Sequence, residues 1–291
     1  MSDRPRLPGQ PTPIPDALAA LPTIRARIEA GHPVLFLDFD GTLTPIRDQP
    51  EQAELSAQGR ATLTRLAECM PVAIVSGRGL TDLVTRVGID GLSYAGSHGF
   101  EIQFARGDET LHYEVGQEYL LDIEAAETEL RDRLADVAGC RIERKRYTLA
   151  IHYRHCSRVS ARQVRQTVEA FTGARPRLTH IRGKMVVEVR PDIAWHKGNA
   201  VQWVLQRAGD ATRLPLVPIY IGDDTTDEDA LRTLPAHGIG IRVSATAHRR
   251  TAAGWRLRDP QAVWMFLDGL ADDCESGTDD DPSRTSAQTR A

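Results

Sequence analysis

Two short acidic segments of this 291-residue chain carry the residue types that could do chemistry. The first is Val34-Leu35-Phe36-Leu37-Asp38-Phe39-Asp40-Gly41-Thr42-Leu43, an apolar run ending in two aspartates one residue apart before Gly-Thr turns the chain. The run predicts a buried strand that delivers carboxylates to a sheet edge, and open α/β sheets bind ligands just beyond the carboxyl ends of their strands. A strand aims residues i and i+2 to one side, so Asp38 and Asp40 share a site if the extended backbone persists that far. Adjacent carboxylates repel unless a shared proton or a cation relieves them, and Mg2+, a hard cation with oxygen ligands, is the expected relief. The bland alternative is a polar turn after a core strand, because Asp and Gly gather at turns for local reasons.

The second segment is Gly222-Asp223-Asp224-Thr225-Thr226-Asp227-Glu228, directly after the apolar run 217–221. Acids at a helix start suit the helix dipole without any further purpose. Against that, Asp223 stands to its strand as Asp38 stands to its own, and two such strand ends supply a cation with several oxygens while leaving room for water and a phosphate. A phosphate beside so many carboxylates needs donors. Thr42 and Ser76 offer hydroxyls at strand ends, and the loop Ser76-Gly77-Arg78 adds backbone N–H groups. Arg78 is open between a phosphate contact and a salt bridge with the loop. Lys197 opens a helix, where an acid would be more favourable, so it either reaches the transferred phosphoryl group or is a solvated surface lysine.

Together these groups describe phosphoryl transfer. Asp38 attacks phosphorus to give an aspartyl-phosphate, and Asp40 protonates the leaving oxygen and then takes a proton from the attacking water. Mg2+ and Lys197 neutralise the charge that develops. The chain has no Gly-x-x-x-x-Gly-Lys-Ser/Thr loop, which argues against a P-loop enzyme.

The elements that must hold these groups alternate. A strand at 34–38, a helix to residue 69 with Ser56 as its N-cap, a strand at 72–75 and an apolar run at 92–95 have the strand-helix-strand rhythm of a parallel sheet. From about residue 106 the rhythm changes to helix 118–137, strands 141–144 and 149–153, helix 157–172 and strands 177–181 and 185–190, with Gly183 at the last turn. That is an inserted α+β module with an antiparallel sheet. The parallel pattern resumes with helix 197–207, run 217–221, helix 227–234 and strand 239–243, and a helix at 263–270 closes the chain. The expected organisation is a lead and short helix over 1–30, an α/β core from 31–105 and 193–271, the module at 106–192 and a disordered acidic tail at 272–291. Linkers near Gly107 and at 191–196 are expected to let the module open and close.

Composition narrows the function classes. A formal net charge of -4 gives no polyanion-binding surface, so nucleic acid is not the expected partner. Four scattered cysteines without a Cys-x-x-Cys pair read as reduced thiols, and no apolar run approaches the roughly 20 residues of a membrane span. The first 15 residues lack an apolar signal core. The expectation is a cytoplasmic protein, a monomer by default, acting on a small molecule.

The four pieces in this order resemble the haloacid dehalogenase-like (HAD) phosphatases: Asp38-Phe39-Asp40-Gly41-Thr42, Ser76-Gly77-Arg78, Lys197, and Gly222-Asp223-Asp224-Thr225-Thr226-Asp227. The resemblance implies a Rossmann-like core and a cap of two helix-strand-strand (αββ) repeats. It also implies Asp38, the backbone carbonyl of Asp40 and Asp223 as metal ligands, Asp227 as a supporting acid and Asp224 as a further contact. More narrowly, Gly96-Ser97-His98-Gly99-Phe100-Glu101, His152-Tyr153-Arg154, the segment from Gly183-Lys184 through Glu188 to Pro191, and Gly-Asp-Asp-x-Thr-Asp-Glu are similar to the trehalose-6-phosphate phosphatase family. That likeness implies sugar contacts from Ser97, His98, Glu101, His152, Arg154, Lys184 and Glu188. Lys184 and Glu188, four apart, are expected to point the same way from one strand, toward sugar hydroxyls or into a cross-strand ion pair. Phosphatases of sucrose phosphate or mannosyl-phosphoglycerate and a non-catalytic phosphosugar sensor are the alternatives.

Overall fold

The computed structural model describes residues 13–278 except 48, 108, 211, 213, 248 and 249. The chain runs α1 (Leu21–Ile28), β1 (His32–Leu37), α2 (Ala57–Cys69), β2 (Val72–Val75), α3 (Leu80–Val87), β3 (Ser93–Gly96), β4 (Glu101–Arg106) and β5 (Glu109–Glu114). It continues with α4 (Leu120–Arg133), β6 (Arg141–Arg144), β7 (Leu149–His152), α5 (Arg158–Gly173), β8 (Leu178–Gly183) and β9 (Val186–Pro191). It ends with α6 (Lys197–Gly209), β10 (Leu216–Gly222), α7 (Asp227–Thr233), β11 (Ile239–Val243), β12 (Trp255–Leu257) and α8 (Pro260–Thr278).

The large sheet has the order β12-β11-β10-β1-β2-β3-β4-β5, parallel from β12 to β3 and antiparallel beyond. Its central strand shows why an unbroken apolar run was needed. Val34, Leu35, Phe36 and Leu37 are all without exposure. Leu35 and Leu37 face a layer holding Leu63 and Leu66 of α2 and Phe266 of α8, while Val34 and Phe36 face Val201 and Val204 of α6. Full burial of side chains this size stabilises by about 1.5–3 kcal/mol each. A second, antiparallel sheet, β6-β7-β9-β8, packs against α4 and α5 around its own apolar cluster.

Several expectations are corrected. Residues 109–114 form β5 on the edge of the large sheet, so the chain leaves that sheet after Glu114 instead of near residue 106. Gly107 (φ 58) lies between β4 and β5, inside a hairpin that cannot be a hinge between the sheets; Gly116 (φ 85) marks the exit. β5 is exposed along most of its length and shows no apolar run. The acidic tail does not begin unstructured at residue 272, because α8 continues to Thr278. Asp272 pairs with Arg65 of α2 at 2.7 Å and Asp273 pairs with Arg25 of α1, a reason for helix that an apolar period does not reveal. Residues 1–12 and 279–291 lie outside the described residues. Among the described residues no helix is long and apolar enough to cross a membrane.

Candidate active site

Parallel pairing of β1 with β10 sets Leu37 opposite Ile221, so the two acidic segments leave the sheet side by side. The Asp38 N–H still donates to the Ile221 carbonyl (2.9 Å) before the chain turns. The turn closes when the Gly41 N–H reaches the Thr44 carbonyl (2.7 Å) with Gly41 at φ 88, and a Cβ there would strike the Asp223 carboxylate. From behind, the Trp264 indole of α8 donates to the Leu43 carbonyl (3.0 Å).

Lys197 is the first residue of α6. The His196 ring accepts from the Gly198 N–H (3.1 Å) and the Asn199 side chain accepts from the His196 N–H (3.0 Å), a reciprocal cap that fixes this helix end. Lys197 is buried and its Nζ donates to Asp38 Oδ1 (2.6 Å) and Asp227 Oδ1 (2.7 Å), which excludes the solvated alternative. Asp227 also accepts from the Tyr220 hydroxyl (2.7 Å) and, through Oδ2, from the Asp224 N–H (2.8 Å). Burial opposes the charge on each member of this group, with different outcomes. On Asp227, Lys197 and the other donors outweigh burial and hold the carboxyl low. For Lys197, the pull of Asp227 and Asp38 outweighs burial, keeping the ammonium protonated. Asp38 goes up, by burial first and by Asp227 and Asp223, against Lys197. Asp223 is pushed up to about 7, by burial and then by Asp227 and Asp224.

Three ionised acids would outnumber the one lysine, and the upward shifts of Asp38 and Asp223 express that imbalance. Ligand oxygens of Asp38, Asp223 and Asp227 lie within 4.8 Å of one another, and Asp223 Oδ1 is buried without a partner. An orphaned carboxylate oxygen among converging oxygens is the donor set of a hard divalent cation. Asp227 is already engaged by three donors, whereas Asp223 is not. The Asp224 carboxylate turns back onto the Thr225 N–H (2.7 Å) and is not part of this group of three. Asp40 is gripped by Arg78 through two bonds, Nε to Oδ2 (2.6 Å) and Nη2 to Oδ1 (2.8 Å), and Arg78 also reaches Asp82 (2.8 Å). Of the two readings for Arg78, the salt bridge is formed, with Asp40 and Asp82 as its acids.

A cleft of about 260 Å³ separates these groups from the second sheet. Ser76, Gly77 and His98 line it from the core, and His152, Arg154, Lys184 and Glu188 line it from the other side. Gly77 has no room for a Cβ, which would lie 2.7 Å from the His98 ring. Glu188 is buried, 3.3 Å from Lys145 Nζ and 3.6 Å from His98 Nε2. Burial pushes its carboxyl up, but Lys145 and His98 outweigh that and hold it well below the usual range. Lys184 is corrected in one respect: β9 begins only at Val186, so Lys184 sits in the turn beside Met185 (φ 64) and does not share a strand run with Glu188.

Three expected contacts stand behind the cleft instead of on it. Ser97 donates to Glu101 (2.9 Å), and both are buried, bracing the turn in which Ser97 (φ 49) and His98 (φ 59) adopt left-handed backbone. Thr42 is buried and its hydroxyl has no partner. Conversely, Glu143 and Lys145 line the cleft although sequence reasoning passed them over. Glu143 pairs with His152 at 2.8 Å, and Lys145 donates to the Gly77 carbonyl at 2.8 Å. The run Arg144-Lys145-Arg146 carries the pattern of a solvated turn, and its reach across to the core is visible only in three dimensions. Tyr220 was hidden in the same way within the apolar run of β10.

The family model described as trehalose-phosphatase matches residues 36–261. A trehalose-phosphate phosphatase of Mycobacterium marinum is 42% identical over 261 residues, which is 89% of this chain and 66% of that protein, so the chain spans just under two thirds of that relative's length. An Aspergillus fumigatus trehalose-6-phosphate phosphatase structure is 30% identical with a TM-score of 0.60, covering 90% of this chain and 99% of its own. The C-terminal domain of the C. albicans trehalose-6-phosphate phosphatase superposes with a TM-score of 0.74 over 89% of this chain and 99% of its own, a likeness of fold at 22% identity.

Proposed function

The chain belongs to the trehalose-phosphatase family, and from that membership and the site we propose that it hydrolyses trehalose 6-phosphate to trehalose and phosphate with Asp38 as nucleophile and Mg2+ as cofactor. The observation that carries the reading is Lys197 Nζ held between Asp38 Oδ1 and Asp227 Oδ1, beside the unpartnered oxygen of Asp223. With Oδ1 tied to the lysine, Asp38 Oδ2 forms the bond to phosphorus as the bond from phosphorus to the sugar oxygen breaks, and Asp40 gives that oxygen its proton. In the second step water attacks phosphorus, Asp40 takes its proton, and the Asp38 carboxylate leaves. Arg78 holds both carboxylate oxygens of Asp40, Nε on Oδ2 and Nη2 on Oδ1. Proton donation in the first step requires that pair to open.

Asp38, the carbonyl of Asp40 and Asp223 would hold the cation, with Asp227 fixing Lys197 and Asp224 close by. Bound there, Mg2+ supplies a positive charge beside the phosphoryl oxygens. Thr42, Ser76, Gly77 and Arg78 frame the phosphate side, and His98, His152, Arg154, Lys184 and Glu188 offer donors and acceptors to sugar hydroxyls, with Ser97 and Glu101 supporting from behind. Phosphate release measured across trehalose, sucrose and glucose phosphates and mannosyl-phosphoglycerate tests the claim. Trehalose 6-phosphate should be hydrolysed fastest by at least tenfold in kcat/KM; equal turnover of glucose 6-phosphate would overturn it.

A further inference from the structure

Glu228 ends the second acidic segment and has no part in the chemistry above. It is buried, and its Oε1 accepts from Nη1 of Arg242 (3.2 Å) while its Oε2 accepts from the Ala252 N–H (2.9 Å). Arg242 lies on β11 opposite Gly222, the residue before Asp223, and is without exposure. The same Nη1 donates to the Asp224 carbonyl.

A buried ion pair is a poor source of stability, since desolvation consumes most of the attraction, and apolar side chains of similar size often do as well. This pair also leaves Nε and Nη2 of Arg242 without partners. What apolar residues could not supply is the bond to the Asp224 carbonyl. Asp224 is fixed on both sides: its N–H donates to Asp227 Oδ2 (2.8 Å) and its carbonyl accepts from Arg242. The backbone that aims the Asp223 carboxylate is thereby clamped between the group around Lys197 and the Glu228–Arg242 pair.

We propose that Glu228 and Arg242 form a positioning pair that, through the Asp224 carbonyl, holds Asp223 in place for the divalent cation and so sets the affinity for it. This rests on the metal-dependent reading above. The test is the rise in melting temperature of the metal-stripped full chain as Mg2+ is titrated, which gives the affinity without turnover. Glu228→Gln should weaken Mg2+ binding at least tenfold, and Arg242→Lys, which keeps a charged donor, by less. The double variant Glu228→Leu with Arg242→Met replaces the pair by apolar bulk. It should keep a metal-free melting temperature closer to wild type than Glu228→Gln while its Mg2+ affinity stays at least tenfold down.

A double variant that binds Mg2+ within twofold of wild type would make the pair merely structural and overturn the proposal. Should the double variant not fold, an unchanged affinity in Glu228→Gln would overturn it equally. A wild-type chain that does not respond to Mg2+ would sink the metal-dependent reading and this proposal together, whereas a responding wild type whose variants bind Mg2+ with unchanged affinity sinks this proposal alone.

Discussion

Lys197 is almost wholly buried against Asp38 and Asp227, so replacing it does more than remove one donor. Lys197→Met leaves two buried carboxylates facing each other without the ammonium between them, a change that costs about 3–5 kcal/mol when one partner of a buried pair is lost. Urea denaturation of the metal-free protein should show that loss, and phosphate release should fall at least a hundredfold. Near-wild-type values for both would mean that the lysine neither balances nor orients Asp38. Glu188 offers a pH-dependent counterpart on the other side of the cleft. Its folded-state pKa lies below the ordinary carboxylate value of about 4.3, so its ionised form stabilises the fold above that value. As pH falls through that range toward the lower folded value, the contribution is lost. The stability difference between wild type and Glu188→Gln should therefore shrink between about pH 5 and pH 3 in denaturant titrations. A constant difference would show that the Lys145 and His98 charges do not act on this carboxylate.

At the level of elements, the site is held by packing that runs behind it. Gly59 of α2 faces the Trp264 ring of α8, the same ring whose indole N–H holds the turn after Asp38 at Leu43. Alanine in place of a helical glycine ordinarily gains about 0.5–1 kcal/mol. Here the added methyl would lie 2.9 Å from the ring, forcing Trp264 away from the Leu43 carbonyl. Gly59→Ala should thus lower the melting temperature and kcat together. Gly173→Ala at the end of α5, where nothing lies within 4 Å, should raise the melting temperature and leave kcat unchanged. The elements legible in the sequence were those that solve a burial problem by composition. β2, β6 and β11 fall at the expected residues because each sits among apolar neighbours or between clear turns. β5 and β12 were not legible: one is an exposed edge strand and the other has three residues. Likewise Asp38, Lys197 and Asp223 declared themselves by standing at strand and helix ends. Lys145 and Tyr220 did not, because a basic turn and a tyrosine within an apolar strand have ordinary explanations until the fold brings them to the site.

Across the whole molecule, the two sheets keep separate apolar clusters and meet through polar contacts and one aromatic stack, Phe100 on Tyr147 with ring centroids 5.8 Å apart. Lys145 reaches the Gly77 carbonyl (2.8 Å), Arg141 pairs with Glu51 (3.3 Å), and Tyr147 donates to Glu114 (2.6 Å). Separate cores joined by a mostly polar seam are the arrangement that permits domain motion at low cost. On the proposed reading, ligand entry and water exclusion both call for it in a cleft lined from both sheets. A hinge on that reading would fall at the two crossings of the chain, near Gly116 and in the segment 192–196. The second crossing is pinned on the core side, where the Trp195 indole donates to the Gly99 carbonyl (2.8 Å). The Arg141–Glu51 pair is the place to test this, since both side chains are largely exposed and neither lines the cleft. An exposed ion pair contributes at most about 1 kcal/mol, so Arg141→Ala should leave kcat near wild type. With the native cysteines replaced, Arg141→Cys and Glu51→Cys joined by a short cleavable crosslinker should instead abolish turnover. Cleaving the linker should restore it. Full turnover with the linker intact would mean that substrate enters and product leaves without the sheets separating, and the polar seam would then need another explanation.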